Sequence, residues 1–442
     1  MSRAYIPASD ADREAMVATI GVQSIEALFA DIPASAEPAD LGEFTAAMAE
    51  IELSRYMDAL SRRSTPAGSV VFFRGGGAYR RFTPAVVDDV LRRGEFLTSY
   101  TPYQAEASQG TLMAAFEFQS EIASLYGMEV ANTGLYDGAS ALAEACLMAC
   151  RVTGRERIAV SRAVNPRYVD VLRTYTLPQG IRIDLLPEDG DGLTSEHACL
   201  AIQSPDYFGR IALKGGSCAE LAHANGALLV VSADPMSLGL LRPPGELGAD
   251  IAVGEGQSLG LPLSFGGPYV GLFTTKLEYI RQMPGRIVGQ TTDRDARRAF
   301  VLTLQAREQH IRRERASSNI CTSEQLLALA VTVYLSLLGP QGLRRTARLC
   351  YDRAHYAAGR LSAIEGFSLA YPDEPFFHEF LLRCPMPASE LNGRLRGGGI
   401  VGGIDASTPD ESLMLFCCTE TNTVDEIDRL ADSLSGWKEW DV

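Results

Sequence analysis

Ala227-Leu228-Leu229-Val230-Val231-Ser232-Ala233-Asp234-Pro235 is the stretch on which the fold turns. Its first five residues are apolar without alternation, the mark of a strand buried on both faces in a parallel sheet flanked by helices. The run stops at Asp234, and α/β proteins place ligand contacts at the C-terminal edge of such strands. Asp234 also suits a plain turn before Pro235. Working outward, similar runs recur at Ile158–Val160, Ile181–Leu186, Cys199–Ile202, Asp250–Val253 and Tyr269–Phe273. Helical patterns lie between them at Ala139–Cys150, Tyr168–Thr174 and Ser217–Asn225. This alternation predicts an α/β layered domain over residues 65–322, with right-handed crossovers. Residues 1–64 read as a helical arm, with Ser9 and Ser24 as N-caps and an amphipathic helix over Glu43–Arg63. Residues 323–442 read as a smaller α+β domain. There Ser323 is placed to cap an apolar helix ending at Gly339-Pro340, and a second helix runs from Gly342 to about Ile364. Strands at Phe377–Arg383 and Leu413–Cys417 and a last helix at Val424–Leu434 complete it.

Composition narrows the function. The 442 residues carry 40 basic and 55 acidic side chains, a net charge of -15, which argues against nucleic acid as a partner. With 46% hydrophobic and 21% charged residues the chain is too apolar for disorder. No stretch approaches the roughly 18 uninterrupted apolar residues of a membrane span, and the first residues lack the apolar core of a signal peptide. The nine cysteines form no C-x-x-C pair, which fits free thiols in a reducing cytoplasm. Only three lysines occur, Lys214, Lys276 and Lys438, so chemistry that needs a lysine amine has three candidates.

Candidate sites each have a plain reading beside the sharper one. Gly256-Gln257-Ser258-Leu259-Gly260 matches G-x-S-x-G, but a nucleophile elbow enters a helix directly after the serine, and Leu261-Pro262 and Gly266-Gly267-Pro268 forbid one. A glycine-rich turn at a strand end is the better reading. The five histidines show no metal spacing, and Cys146 and Cys150 read as small core residues. No nucleotide-binding glycine motif is present, and Gly75-Gly76-Gly77 precedes no βαβ unit. Gly138-Ala139-Ser140 opens a helix, where exposed N–H groups and the dipole suit a phosphate; a helix capped by Asp137 or Ser140 is equally consistent. Tyr100-Thr101-Pro102-Tyr103-Gln104 and Ser108-Gln109-Gly110 form a polar, aromatic loop, exposed or binding. Arg307–Arg315 suits a solvated helix face with ion pairs, or a carboxylate or subunit contact through its arginines.

These segments together resemble the N-terminal (alpha) subunit of the glycine decarboxylase P-protein in its two-subunit bacterial form. The resemblance rests on Tyr5–Pro7, Ile20–Pro33, Tyr100–Gly110, Tyr136–Ala145, Gln203–Gly209, Val253–Pro262, Arg281–Gly289 and Arg307–Thr322. It implies the fold type I architecture of pyridoxal-phosphate-dependent transferases: a large domain with a mostly parallel sheet and a small C-terminal α+β domain. It also implies the reaction, in which glycine is decarboxylated and its aminomethyl group passes to the lipoyl arm of H-protein. In the family's beta subunit a His-Lys pair follows the strand after the cofactor aspartate. The similar place here holds Gln257-Ser258, and Asn165-Pro166 stands where His-Pro is expected. The resemblance therefore implies a degenerate site, Gly138, Ala139, Asp234, Gln257 and Ser258, without cofactor or metal. Pyridoxal phosphate then belongs to a beta subunit in an alpha2-beta2 assembly, in the cytoplasm and away from membranes. Tyr100, Thr101, Tyr103 and Gln104 become the residues offered to a shared active site, with Arg312 and Arg313 behind them. A scaffold subunit that offers nothing to chemistry is the alternative.

Overall fold

The computed structural model describes residues 7–33, 35–36, 42, 47–213 and 216–437, in two units that part after Ser64. In the second unit a short strand, β1 (Val71–Phe72), precedes a seven-stranded sheet. That sheet comprises β2 (Val130–Ala131), β3 (Arg157–Ser161), β4 (Arg182–Leu186), β5 (Cys199–Ser204), β6 (Leu228–Ala233), β7 (Ile251–Glu255) and β8 (Gly271–Thr275). The spatial order is β2-β8-β7-β6-β5-β3-β4. Strands β3 to β7 pair in parallel, while β8 runs antiparallel to both its neighbours. All six residues of β6 are buried, as its unbroken apolar run requires. The expected run at Tyr269–Phe273 becomes a strand from Gly271, with Gly256 N–H donating to the Val270 carbonyl at 2.8 Å just outside it.

The helix Gly138–Thr153 is buried along most of its length and packs on β6, β7 and β8. Pro166–Thr176 and Ser217–Ala224 supply two further crossovers. A hairpin of β9 (Ile287–Thr292) and β10 (Arg298–Thr303) was not foreseen, since its outer half is exposed and lacks a continuous apolar run. It packs Val288, Phe300 and Leu302 against Leu112 and Ala115 of the helix Gln109–Tyr126.

The helical stretch Gln325–Ser362 breaks at Gly339, whose φ of 59° and ψ of 179° are not helical. By length and composition it could cross a membrane. Here Ala328, Ala330, Val331 and Tyr334 of its first half pack into the core beneath the large sheet. Ser323 does not cap it: φ at Ser323 is +55°, its hydroxyl is unpartnered, and Glu324 stands at the cap without a side-chain bond. The C-terminal strands are β11 (Ser368–Leu369), β12 (Glu379–Arg383), β13 (Ile400–Val401), β14 (Ile404–Asp405) and β15 (Leu413–Cys417). Four form a sheet ordered β11-β12-β15-β14, and β13 pairs in parallel with β1. Val71 and Phe73 thereby join the C-terminal core with Phe380, Phe416 and Leu430.

In the first unit Ser9 caps the helix Asp10–Ile20 through a reciprocal bond with Asp12. Ser24 Oγ accepts from Ala27 N–H at 3.3 Å. The helix expected from Glu43 runs over Glu50–Ser61, with residues 47–49 non-helical and 43–46 outside the described residues.

Candidate functional site

Strands β6 and β7 end side by side, and a cleft opens where their loops begin. Asp234, Gln203, Asn165, Tyr168 and Glu255 line it from the large sheet, with His378 and Glu379 from the C-terminal region and Gly77 and Tyr79 from the loop after β1. Gln257 and Ser258 sit behind, both buried. The Gln257 carboxamide is fully used: Tyr79 N–H donates to Oε1 at 2.8 Å, and Nε2 donates to the carbonyls of Tyr79 and Leu261, each at 2.9 Å. Ser258 Oγ donates to Asp234 Oδ1 at 3.4 Å, and His378 Nδ1 lies 3.4 Å from the other oxygen, Oδ2. The carboxylate thus stands between hydroxyl and imidazole. A serine nucleophile needs the imidazole at its hydroxyl, so the hydrolase reading fails on geometry as well as on Pro262.

Burial dominates the electrostatics. It raises the Asp234 and Tyr168 pKa values, lifts Glu255 to about 8 and Glu379 to about 7, and depresses His378 well below the ordinary range. Glu379 still accepts from Gly76 N–H at 2.7 Å and Tyr79 Oη at 2.9 Å. Buried Arg81 pairs with Glu420 at 2.9 Å.

The helix start proposed for a phosphate is already served. Asp137 accepts from Ser140 N–H at 2.7 Å, and Glu255 accepts from Gly138 N–H at 2.9 Å. Asn165 is a cap: its side chain accepts from Arg167 N–H and donates to the Gly76 carbonyl. Ala139 follows Gly138 within the helix.

Tyr100, Thr101 and Tyr103 form a second group around a residue the sequence reading quoted without assigning, Arg286. This guanidinium is 1% exposed. Its Nη1 donates to Thr101 Oγ1 at 3.1 Å, Nη2 to Tyr103 Oη at 2.8 Å and Nε to Glu308 at 3.2 Å. Tyr103 also packs edge-on to His310, and Tyr100 Oη lies 3.5 Å from Thr322 Oγ1. Gln104 reaches only toward Glu106. Arg307 is not on a solvated helix face: it binds the carbonyls of Met283 and Gly285 and so braces the Arg286 loop. The Arg286 carbonyl accepts from Thr133 N–H at 3.0 Å, tying the loop to the segment that enters the helix Gly138–Thr153. Arg312 binds the Ala306 carbonyl, and Arg313 lines a separate hollow with Glu144 and Arg151. Among the described residues no group of three His, Cys, Asp or Glu side chains could hold a metal ion.

A family model described as glycine cleavage system P-protein matches residues 3–434. A probable glycine dehydrogenase (decarboxylating) subunit 1 from Desulfitobacterium hafniense is 47% identical, covering 96% of this chain and 98% of that protein. Its counterpart from Thermomicrobium roseum is 48% identical, covering 97% and 98%. A crystal structure of glycine decarboxylase (P-protein) of the glycine cleavage system, in inhibitor-bound form, superposes with a TM-score of 0.89 at 42% identity, covering 98% of this chain and 99% of that one. A C-DES variant with glycine covalently linked to its PLP cofactor shares the fold alone, with a TM-score of 0.60 at 13% identity over 83% of this chain and 96% of that one.

Proposed function

The chain belongs to the glycine cleavage system P-protein family, and from that premise we propose that it completes, rather than carries, the pyridoxal phosphate site. It is a subunit of glycine decarboxylase, an enzyme of fold type I, and works with a partner subunit. The observation that carries the proposal is Gln257. It occupies the place expected for the Schiff-base lysine, is buried, and spends its whole carboxamide on Tyr79 and Leu261. An amide supplies no amine for an imine. Lys276 is tied to Asp250, and Lys214 and Lys438 lie outside the described residues. The cleft's residues therefore do not fit the cofactor. Pyridoxal phosphate belongs to the partner beta subunit of an alpha2-beta2 assembly in the cytoplasm, and the lipoyl arm of H-protein is the acceptor of the aminomethyl group.

The contribution of this chain is the loop Tyr100–Gln104. Arg286 donates to the hydroxyls of Thr101 and Tyr103, so each keeps its own proton to donate outward. Tyr100 and Tyr103 remain 74% and 50% exposed, and Tyr103 is braced from below by the buried Arg286 guanidinium. Such a loop offers fixed donors to a substrate carboxylate in a neighbouring site. The test is borohydride reduction of the assembled enzyme with pyridoxal phosphate, followed by peptide mapping. The pyridoxyl-lysine is expected in the partner subunit; a stoichiometric adduct on Lys214, Lys276 or Lys438 overturns the reading.

A further inference from the structure

In the cleft at the ends of β6 and β7 one carboxylate holds an unusual position. Glu255 receives Gly138 N–H on Oε2 and Gln257 N–H on Oε1, each at 2.9 Å. Gly138 begins a helix of 16 residues, so its N–H group carries the positive end of the dipole. Approach there is close: a Cβ on Gly138 would stand 2.7 Å from Tyr168 Oη and 2.9 Å from Glu255 Cβ. One donor comes from the helix start and the other from the short turn Gly256–Ser258 after β7, and together they seat one anion. A second observation points to a ligand in the same cleft. His378 is 2% exposed and lines it; its Nδ1 faces Asp234 Oδ2 at 3.4 Å, while its Nε2 has no partner.

We infer that Glu255 is a built-in occupant of this anion seat, and that its carboxylate closes the cleft of this chain to phosphate monoesters and to inorganic phosphate. The inference rests on the reading that the cofactor belongs to the partner. It adds that the cleft is shut by an internal group as well as lacking a lysine. A phosphate placed at Gly138 would have to displace Glu255 and then face Asp137, Asp234 and Glu379. The buried cation nearby, Arg81, is held through Nη1 by Glu420 and Cys350, with Nε and Nη2 left unpartnered. Tyr168 and Asn165 add no cationic charge. Burial lifts Glu255 to about 8 against the pull of its two N–H donors, so most of the population near neutrality is protonated, and the plug carries less charge than a phosphate would.

The experiment uses the full chain and two probes, inorganic phosphate and pyridoxal phosphate. Binding is followed by titration calorimetry and by the melting temperature in phosphate against chloride at equal ionic strength. The wild type is expected to show no saturable binding at millimolar probe. Glu255→Ser should bind both probes competitively, at least tenfold more tightly, and should gain melting temperature in phosphate. If Glu255→Ser folds poorly, phosphate should still restore its melting transition, because the anion replaces the lost carboxylate. Equal indifference of wild type and Glu255→Ser to phosphate, in binding and in melting, overturns the inference while leaving the partner-held cofactor intact. A wild-type chain that forms a stoichiometric pyridoxyl-lysine overturns that underlying reading instead.

Discussion

Arg286 shows what a single residue decides. Its donors serve Thr101, Tyr103, Glu308, the Thr322 carbonyl and Cys321 Sγ, and it is almost wholly removed from water. Replacing it by methionine leaves Glu308, 5% exposed, without its main cation, a loss of about 3–5 kcal/mol. Arg286→Lys keeps the charge but not the fork, so the chain should fold while the Tyr100–Gln104 loop loosens; turnover of the assembled enzyme should fall more than its melting temperature. Tyr103→Phe keeps the ring and removes the hydroxyl. Losing a transition-state donor costs about 10²–10³ in kcat, whereas a packing role leaves kcat unchanged, so kcat measured beside elution volume separates the two. A further residue-scale prediction concerns pH. Glu255 and Glu379 titrate near 8 and near 7 in the folded chain, above the ordinary 4.5 that applies once unfolded. Between those limits the folded state binds more protons than the unfolded one, so these groups favour folding most below pH 4.5 and lose that contribution as pH rises toward 8. Glu379→Gln should flatten the fall in melting temperature between pH 5 and pH 8, since Gln can still accept from Gly76 N–H while the Tyr79 hydroxyl turns to accept. An unchanged slope would remove Glu379 from this balance.

At the scale of elements, the legible parts are those whose burial is uniform. Strands β3, β5, β6 and β7 stand where their apolar runs lie because both faces are covered, and the helix Gly138–Thr153 opens at the Asp137 and Ser140 cap its sequence offers. The hairpin β9–β10 was invisible because its exposed half breaks the apolar run. Ser323 misled because a serine before an apolar stretch suits a cap only if its backbone is extended, and here φ is positive. The candidate cleft was legible in Asp234, Gln257 and Gly138, each at an element's end. Glu255, His378 and Arg286 were not, because their roles come from partners far along the chain: Arg286 and Thr101 are 185 residues apart, and Glu255 and Gly138 are 117 apart. The break in the long helix, by contrast, was written in Gly339-Pro340. Gly339 sits at φ 59° and ψ 179°, a region reserved for glycine, with nothing within 4 Å of a would-be Cβ. Gly339→Ala should therefore cost about 1–3 kcal/mol through the backbone alone, read as a shifted denaturant midpoint at unchanged slope. A midpoint equal to wild type would mean that the two helices can rejoin without strain.

On the scale of the whole molecule, the first unit is hard to explain as part of a chain that stands alone. Its helix Glu50–Ser61 presents Leu53, Tyr56, Met57 and Leu60 at i, i+3, i+4 and i+7, one face of a helix. These side chains are 48%, 54%, 52% and 40% exposed, and none of the helix's residues is buried. Ile20 and Met16 of the helix Asp10–Ile20 are exposed as well. An apolar stripe of this kind earns its place by covering another surface, and in the proposed assembly that surface is the partner subunit. An obligate interface buries about 2,000 Å² or more and is apolar at its centre. The prediction is that Leu53→Asp combined with Leu60→Asp leaves this chain folded, since exposed positions change stability by only about 0.5 kcal/mol, but weakens its co-elution with the co-expressed partner. Glycine–bicarbonate exchange should fall with the loss of complex and return at high subunit concentration, because the variant touches assembly and leaves the Arg286-braced loop in place. A double variant that co-elutes as wild type and keeps full exchange would exclude this stripe from the interface. Exchange that stays low in a fully assembled variant would mean instead that the arm acts on the active site itself.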